Sequence, residues 1–521
     1  MADSLWIDAL CINQDDRNEK THQVAMMGRI YQEAEEVLIW LGEPGIIPFA
    51  GHEHAVAGAS KTGINIADGI ECLQLLASGK HFHDLPCFGR CRSQTCPSSR
   101  GVVSTSWRNT LQALRAISNA KWFERTWTIQ KLVLARKPSV LIGGHLIAWD
   151  VLEQAWIEWA RHLKSCCGEC DFTLAESDIE CLHRFSTRMI DLFNAKRRLE
   201  RGQTLLLPLL NFKSRDATDK RDKIYGLLSL QSGSAIVNIR PNYNLALEDV
   251  FVKFAKELVY SQGWLVPLHL DLARDLVLPS WVPDWTHRST EPADFTFARF
   301  TGSSTYRASD GFQGCYSFSS NHTLKVTGIE IDRIVRLSIP YQFKERPAEQ
   351  LQLVAHWRDF LDLQNLAHNK YVGGGTREQA FFSTMFANRF HDAGKCRPLL
   401  SDDIQNWQEH LVKTSERLRE EGPRATLKLN PTMNSHIKAT PGRRLFVSSK
   451  GYIGVCPEDA QENDELFVLY YCHAPIVLRP VGEKSRLRKN RYTALGHAYF
   501  HGLMEGEAVQ MNLPRRQVLI V

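Results

Sequence analysis

Two short apolar runs that flank an amphipathic stretch constrain the fold more than any other feature of this sequence. The run LWIDALCI at residues 5–12 is almost continuously apolar, as is typical of a buried strand in a parallel sheet. Asp16 and Glu19 resemble a capping box and predict a helix over residues 17–35, and VLIWLG at 37–42 predicts a second strand. The order strand, helix, strand predicts a βαβ unit with two parallel strands. The apolar positions at helical spacing are Val24, Met27, Ile30, Tyr31 and Ala34.

The pattern of helices and strands divides the chain into three parts. Residues 1–165 indicate an α/β domain, in which PSVLIGGHLIAW predicts a hairpin at Gly143 and Gly144. Helical patterns dominate residues 166–290, which we interpret as a helical connecting region. Residues 291–521 indicate a β-rich α+β domain with a helical insertion at about 345–440. The strand patterns from residue 443 onward predict one β unit.

The composition indicates a folded protein and gives no sign of a nucleic-acid or membrane partner, so we predict neither. Of the 521 residues 43% are hydrophobic, and 63 basic residues nearly balance 58 acidic ones. The net charge of +5 is too small for this length to indicate binding to nucleic acid or to an anionic membrane. The longest apolar runs are far shorter than the roughly 18 residues of a transmembrane helix, and the first residues do not resemble a secretory signal. We therefore expect a cytoplasmic protein.

The 13 cysteines, an odd number without a secretory signal, indicate reduced thiols rather than a disulfide framework. Two clusters could supply zinc ligands, but their spacing matches no common zinc motif, so we predict no metal. The sequence also carries no phosphate-binding, dinucleotide-binding, zinc-protease or serine-hydrolase motif. The clustered residues are His81, His83, Cys87, Cys91, Cys96, Cys167 and Cys170.

The segment LWIDALCINQDDRNEKTHQVAMMGRIYQEAEEVLIWLGEP resembles, almost position by position, the central block of the heterokaryon incompatibility (HET) domain family of fungi. A second family block, R-x-W-x-x-Q-E, resembles RTWTIQK at 125–131, and DKRDKIYGLLSL at 219–230 resembles a segment downstream of many HET domains. The likeness continues through PNYNLALEDVFVKFA and LPSWVPDWT, so residues 1–165 are identified as an HET domain. The motif positions are Trp6, Asp8, Cys11, Asn13, Gln14, Gln23, Met27, Tyr31, Trp40, Arg125, Trp127, Gln130, Lys131, Arg221 and Asp222.

The resemblance implies both a function and a fold. HET proteins take part in fungal non-self recognition, in which fusion of genetically different hyphae is followed by growth arrest and cell death. Their fold resembles the Toll/interleukin receptor (TIR) domain, a flavodoxin-like parallel sheet, which agrees with the predicted βαβ unit. Some TIR relatives cleave NAD with a glutamate four residues after a tryptophan, and R-x-W-x-x-Q-E has that spacing. On a helix the acid would then lie one turn from the ring.

This sequence departs from the family at two places. Lys131 stands where the pattern carries glutamate, and an ammonium group cannot stabilise a developing ribosyl cation or accept a proton. The family also carries a strand-bearing block resembling Y-x-A-L-S-Y-x-W-G upstream of residue 5, so we expect an N-terminally shortened HET domain with an incomplete sheet. Both departures argue against catalysis. We predict no catalytic residue and no hydrolysis of NAD.

Three functions stay open at this point. The first is a signalling module for incompatibility and cell death that acts through protein partners, self-association among them, and needs no cofactor. The second is a TIR-like enzyme that cleaves NAD. The third is a degenerate, truncated HET fragment.

The motif residues also have purely structural interpretations. Trp6, Ile7 and Leu10 are interpreted as core residues of the first strand. Arg125 and Asp222 are interpreted as parts of a helix-surface or buried ion pair. The basic run at 484–491 is interpreted as a solvated hairpin tip. The residues interpreted as caps of the turn from strand to helix are Asp8, Asn13 and Gln14.

Overall fold

The protein is a mixed α/β chain, described here by a computed structural model. Its two compact units, Met1–Leu245 and Ala246–Val521, are treated separately. The mixed α/β class and the β-rich C-terminal sheet are confirmed, whereas the TIR-like arrangement and the division near 165 and 290 stay predictions. The described residues are 4–43, 64–81, 84–85, 105–165, 176–202, 204–232, 236–287, 306–341, 347–392, 395–421, 442–482 and 490–521.

The N-terminal unit packs helices against a three-stranded sheet. Strand β1 (Val37–Gly42) pairs in parallel with β2 (Pro138–Ile142), and β2 pairs antiparallel with β3 (His145–Ala148). The predicted hairpin is therefore confirmed, with positive φ at both glycines of its turn. The described helices of this unit are α1 (Asp8–Cys11), α2 (Arg17–Glu33), α3 (Ile66–Ala77), α4 (Thr105–Ser118), α5 (Trp127–Val133), α6 (Trp149–Ser165), α7 (Glu176–Glu200), α8 (Leu206–Asn211) and α9 (Asp222–Tyr225), with 3₁₀ turns at Lys121–Glu124 and Leu228–Leu230.

The predicted strand at residues 5–12 is wrong, and so is its parallel pairing with β1. These residues contain α1, and β1 takes its parallel partner from β2 about a hundred residues later. The core interpretation of the apolar run fails too, because Leu5 and Leu10 are 73% and 80% exposed. A short apolar run has the same pattern in a strand and in one helical turn. An acidic residue in the first turn of α1 favours the helix.

The predicted helix after this segment is confirmed as α2. The side chain of Asp16 accepts hydrogen bonds from the backbone N–H groups of Asn18 and Glu19. The reciprocal capping-box bond differs from the prediction, because the Glu19 carboxylate accepts from the N–H of Asn13 instead of Asp16. The buried face of the helix carries Val24, Met27, Gly28 and Tyr31.

The C-terminal unit is built on one sheet in which a long strand closes a ring. The strands of this unit are β4 (Tyr316–Phe318), β5 (Leu324–Tyr341), β6 (Arg389–Asp392), β7 (Lys395–Pro398), β8 (Arg443–Ser448), β9 (Ile453–Pro457), β10 (Glu465–Leu469), β11 (Ile476–Pro480), β12 (Arg491–His497), β13 (Tyr499–Phe500) and β14 (Arg515–Ile520). Strand β5 pairs with both end strands of the series β10, β11, β12, β14, so five strands form a closed ring. The end of β5 also pairs with β8, which pairs with β9, and β9 pairs with β13.

The strands from residue 443 onward therefore belong to one sheet, as predicted. Helices precede the sheet and also lie between β5 and β8. None of the helices in the described ranges is both long and apolar enough to cross a lipid bilayer. The described helices of this unit are α10 (Leu247–Gln262), α11 (Pro347–Phe360), α12 (Leu363–Leu366), α13 (Arg377–Met385), α14 (Ser401–Glu421) and α15 (Glu507–Gln510), with a 3₁₀ turn at Val266–His269.

Candidate functional site

Helix α5 brings the second family block against the first. Lys131 lies in its last turn, and its Nζ donates a hydrogen bond to Asp8 Oδ2 at 2.7 Å. The two side chains are 18% and 24% exposed, so the ion pair is mostly shielded from water. The partners lie 123 positions apart in the sequence. The pair therefore fastens the beginning of the chain to α5.

An aromatic pair lies beside this ion pair. Tyr31 on α2 is buried, and Trp6 meets its ring edge-on with the ring centroids 5.7 Å apart. Lys131 Nζ lies 5.7 Å from the centroid of the Tyr31 ring, within range of a cation–π contact. Burial, and then the charge of Asp8, raise the pKa of Tyr31, so its hydroxyl stays protonated. Trp6, Asp8, Tyr31 and Lys131 are called the Asp8 cluster below.

A second cluster surrounds the carboxylate of Asp222, at the start of α9. Trp127 Nε1 donates to Asp222 Oδ2 at 2.9 Å, and the Tyr243 hydroxyl donates to Oδ1 at 2.5 Å. Asp222 is buried, and this burial raises its pKa, although the two hydrogen bonds act in the opposite direction. Lys20 Nζ lies 4.4 Å from the centroid of the Tyr243 ring. Lys20, Trp127, Asp222 and Tyr243 are called the Asp222 cluster.

Arg221 fixes the segment that carries Tyr243. Its Nε and Nη2 donate to the two carboxylate oxygens of Asp219 at 2.9 and 2.7 Å. Its Nη1 donates to the backbone carbonyls of Tyr243 and Leu245 at 2.6 and 2.8 Å. Arg221 and Asp222, which are adjacent in the family segment, thus have different roles. Arg221 holds a loop, and Asp222 binds aromatic donors.

Gln130 has a structural role in α5. Its side chain is 2% exposed, and its Oε1 accepts a hydrogen bond from the Ser229 hydroxyl at 2.7 Å. Its Nε2 faces the sulfur of Met27 at 4.0 Å. The amide therefore joins α5 to α2 and to the segment after α9.

The interpretation of Arg125 and Asp222 as parts of an ion pair is wrong. Arg125 is exposed, and its backbone forms a bridge with Asp216. The carboxylate of Asp222 is instead bound by Trp127, which lies two residues beyond Arg125, and by Tyr243. Uncharged donors satisfy a buried carboxylate without a second buried charge, which avoids part of the desolvation cost of an ion pair.

The other polar residues of the first block stabilise the turn between α1 and α2. Asn13 Oδ1 accepts from the N–H of Asp15 at 3.1 Å, and Gln14 Nε2 donates to the carbonyl of Asp8 at 3.4 Å. Asn13 and Gln14 thus stabilise a turn between two helices, where a turn from strand to helix was predicted, and Asp8 binds Lys131 and also accepts from the N–H of Ala9. Three further motif residues take no part in either cluster: Cys11 is exposed, Gln23 is half-buried and Trp40 is 63% exposed.

The sequence did not single out Lys20, Asp219, Ser229 or Tyr243. Tyr243 lies in PNYNLALEDVFVKFA, which was matched to the family as a segment without a role for any one residue. The sequence did contain a signal for the Asp8 cluster. Lys131 replaces the acid of the family pattern, and a lysine can form an ion pair with the carboxylate of Asp8. Charge complementarity between two motif blocks indicates contact.

The carboxylates of both clusters take part in hydrogen bonds within the N-terminal unit. One oxygen of Asp8 binds the ammonium of Lys131, and both oxygens of buried Asp222 accept hydrogen bonds. Within the ranges that the structure describes, no group of three His, Cys, Asp or Glu side chains could hold a metal ion. Most of the basic run 484–491 and the following residues of the cysteine clusters lie outside the described residues: His83, Cys87, Cys91, Cys96, Cys167 and Cys170.

Comparison with known proteins supports the HET resemblance of the N-terminal region and the β-rich character of the C-terminal region. Residues 2–131 match the family model described as heterokaryon incompatibility protein (HET), and residues 425–521 match that of the Het-6 beta-barrel domain. Heterokaryon incompatibility protein 6, OR allele, of Neurospora crassa is 24% identical over an alignment 577 positions long, which covers 96% of this chain and 81% of that protein. No solved structure matches the chain. Both clusters involve residues of the first matched region, and on these matches the chain carries an HET domain at residues 2–131 and a Het-6 beta-barrel domain at residues 425–521.

Proposed function

We propose that this protein acts in fungal heterokaryon incompatibility, and that its HET domain signals growth arrest and cell death in the cytoplasm through protein contacts, self-association among them. The family matches support the incompatibility role. The Neurospora crassa relative is named as an incompatibility protein, and its likeness extends over 96% of this chain. The mode of action is argued from the Asp8 cluster.

The ion pair between Lys131 and Asp8 is the observation that carries a non-enzymatic mode of action. A cation occupies the position where the NAD-cleaving pattern has a glutamate, and it binds the nearby motif carboxylate at 2.7 Å. Cleavage of NAD develops positive charge on the ribosyl carbon, which an ammonium group repels. At ~4 Å and an effective dielectric of 20, an unpaired ammonium group would give a repulsion of order 4 kcal/mol, which the carboxylate of Asp8 lowers. Asp8 and Lys131 therefore serve to hold α1 against α5.

Controlled expression in a Neurospora crassa strain tests the incompatibility role. The full chain, induced in one partner of a forced heterokaryon, is expected to slow growth and to increase the fraction of dead hyphal compartments relative to an empty vector. The matched variant is Asp222→Ala, which removes the acceptor for Trp127 and Tyr243 and is expected to abolish the response. Normal growth with the wild-type chain at confirmed expression would contradict the proposal.

Incubation of the purified chain with NAD tests the mode of action. The wild-type protein is expected to leave NAD intact, and so is Lys131→Met, which removes the charge but keeps the length of the side chain. Lys131→Glu restores the family's acid, and activity gained only by this variant would show that the lysine blocks a site able to do chemistry. Loss of NAD with the wild-type protein would replace the proposal with the enzyme alternative.

A further inference from the structure

A cavity of about 400 Å³ lies within the C-terminal unit, and neither family match assigns it a role. Its lining comes from the segment after the 3₁₀ turn Val266–His269, from the start of β8, and from the ends of β9 and β12. This volume falls within the range of small-molecule sites, roughly 300 to 1,000 Å³. The cavity is large enough for a small molecule such as an amino acid or a short peptide.

Arg443 and His497 are deeply buried lining residues that contact each other, and this pair is called the floor of the cavity below. Arg443 and His497 are 6% and 2% exposed. The Arg443 guanidinium donates to the His497 carbonyl at 2.8 Å and to His497 Nε2 at 2.5 Å. Because a guanidinium only donates, Nε2 must accept, so the imidazole is neutral with its proton on Nδ1. The floor thus contributes one fixed positive charge.

A second guanidinium, that of Arg274, lies in the wall. Its Nη1 donates one long hydrogen bond, 3.3 Å, to the carbonyl of Leu278. Burial lowers the pKa of Arg274, against the opposing effect of Asp284 and Asp459. The carboxylate of Asp284 already accepts two backbone bonds from the preceding loop, those of Asp275 and Leu276, and it also binds Thr286. An anion bound at Arg274 would compensate for the desolvation of this cation.

Carboxylates lie at the mouth of the cavity. Glu458 and Asp459 follow β9 and are exposed, and Asp271 is half-buried. The Asp271 carboxylate accepts a hydrogen bond from the N–H of Ala273. Two of the three carboxylates are thus exposed, whereas Arg274 is half-buried and Arg443 is buried.

The balance of these charges decides the class of ligand. Among the described lining residues, the fixed charges are two guanidinium groups and three carboxylates. A simple anion would meet the acidic mouth, and a simple cation would meet the guanidinium groups inside. A molecule with an anionic end and a cationic end satisfies both regions. The apolar part of such a molecule would contact the rest of the lining: Leu270, Leu272, Ala273, Pro457 and Leu495.

We propose that this cavity binds a small zwitterion of the amino-acid or short-peptide type, with its carboxylate against Arg274 and its ammonium group between Glu458 and Asp459. The site is independent of the proposed function, because it lies in the other unit and requires neither cluster of the HET domain. It would make the C-terminal unit a sensor of small amino-carboxylates.

Calorimetric titration of the full chain tests the site without any mutation. The probes are the standard L-amino acids one by one, and the dipeptides Gly-Leu and Leu-Leu as a second arm. At least one probe is expected to bind at a single site. Binding of an amino acid or of a dipeptide shows which of these two kinds of molecule the cavity takes. The N-acetyl and the amide derivatives of that probe each lose one charge and are expected to bind about tenfold more weakly or worse. The proposal is overturned if no probe binds at millimolar concentration, or if either derivative binds as well as its parent.

The variant Arg274→Gln then locates the carboxylate. It is expected to weaken binding of the parent probe about tenfold and to leave binding of the amide unchanged, because the amide lacks the group that Arg274 contacts. The matched control is Arg377→Gln, in which a half-buried arginine outside the cavity loses a similar 3.3 Å bond to a carbonyl, here that of Leu361. Equal weakening by both variants would overturn the assignment.

Discussion

The two units bury their polar groups in different ways. In the N-terminal unit, charged or hydrogen-bonded pairs join segments far apart in the chain, as Lys131 does with Asp8 and Trp127 with Asp222. In the C-terminal unit, five strands form a closed ring, and the largest fully buried side chains include Trp357, Phe381, Phe382 and Phe446. Both units have an apolar core and polar links, as the pair of Arg443 and His497 shows for the C-terminal unit. The comparison therefore sets polar links in the first unit against the aromatic core in the second.

This difference teaches where each unit is vulnerable. An apolar core loses stability when volume is removed, and the loss grows with the cavity left behind. A polar link loses stability when one partner is removed, because the remaining group stays desolvated without its bond. The predictions below test this contrast in order of expected effect.

Removing the Phe446 ring should have the largest effect. Phe446 on β8 is fully buried, its ring centroid lies 5.0 Å from that of Phe500, and a Cβ on the facing Gly454 would lie 2.6 Å from its ring. Phe446→Ala is expected to lower the free energy of unfolding by about 3–5 kcal/mol in a urea titration. Phe446→Leu is the control and should cost clearly less. A loss below about 1 kcal/mol for alanine would show that the apolar core does not dominate this unit.

Acidification should destabilise the C-terminal unit through its buried histidines. His269 donates from Nδ1 to the carbonyl of Leu265 and accepts at Nε2 from the N–H of Ala474. Protonation of Nε2 would place its N–H against the N–H of Ala474 and break this hydrogen bond. Burial and then the nearby His473 lower the pKa of His269 from 6.5 to about 3. Between these values the unfolded chain binds a proton that the folded chain does not. Stability is therefore complete above about pH 6.5 and is lost as the pH falls.

Going from about pH 7 to about pH 5 is expected to cost roughly 2 kcal/mol through His269 alone. Burial likewise lowers the pKa of His501 to about 4, so His501 adds to the loss of unfolding free energy as the pH falls. His269→Gln can keep both hydrogen bonds without titrating, so its unfolding free energy should fall by about 2 kcal/mol less over the same interval. Parallel pH curves for wild type and variant would contradict the assignment.

The sequence predicted those parts of the fold that local signals specify. Helix α2 follows from the cap at Asp16 and the apolar spacing after it, and the β2–β3 hairpin follows from the two glycines between apolar runs. The partner of β1 could not be found in this way, because strand pairing depends on contacts about a hundred residues apart. The helix α1 was missed because one turn is too short to show a period.

The candidate site shows the same division. The family pattern singles out Asp8, Trp127, Lys131 and Asp222. It assigns each to a sequence block, but it does not show which of these residues contact each other. The structure joins Asp8 to Lys131 and Trp127 to Asp222, and each link is long-range. Residues such as Tyr243 have no local pattern that distinguishes them from core aromatics, so only the fold reveals their role.

A double-mutant cycle on Asp8 and Lys131 tests the polar links of the N-terminal unit. Lys131→Met and Asp8→Asn are each expected to cost about 1–2 kcal/mol in unfolding free energy, because each leaves a mostly buried partner without its bond. The double variant should cost less than the sum of the two, with a coupling of about 1 kcal/mol. The exposed pair of Arg29 and Glu33 is the control and should show a coupling near zero. Additive losses at Asp8 and Lys131 would mean that the ion pair does not hold α1 to α5.

The smallest effect on stability is expected at Trp40, a family-motif residue on the exposed face of β1. Its side chain is 63% exposed and alternates along the strand with buried Ile39 and Leu41, so its removal leaves no cavity. Trp40→Ser should change the unfolding free energy by less than about 0.5 kcal/mol, whereas Trp281→Ser in the C-terminal unit removes a fully buried ring and should cost several kcal/mol. If the HET domain acts through protein contacts, Trp40→Ser should weaken the incompatibility response while the protein stays folded. A large loss of stability at Trp40 would instead mean that this face of the sheet is covered within the chain, and the contrast between the two tryptophans would fail.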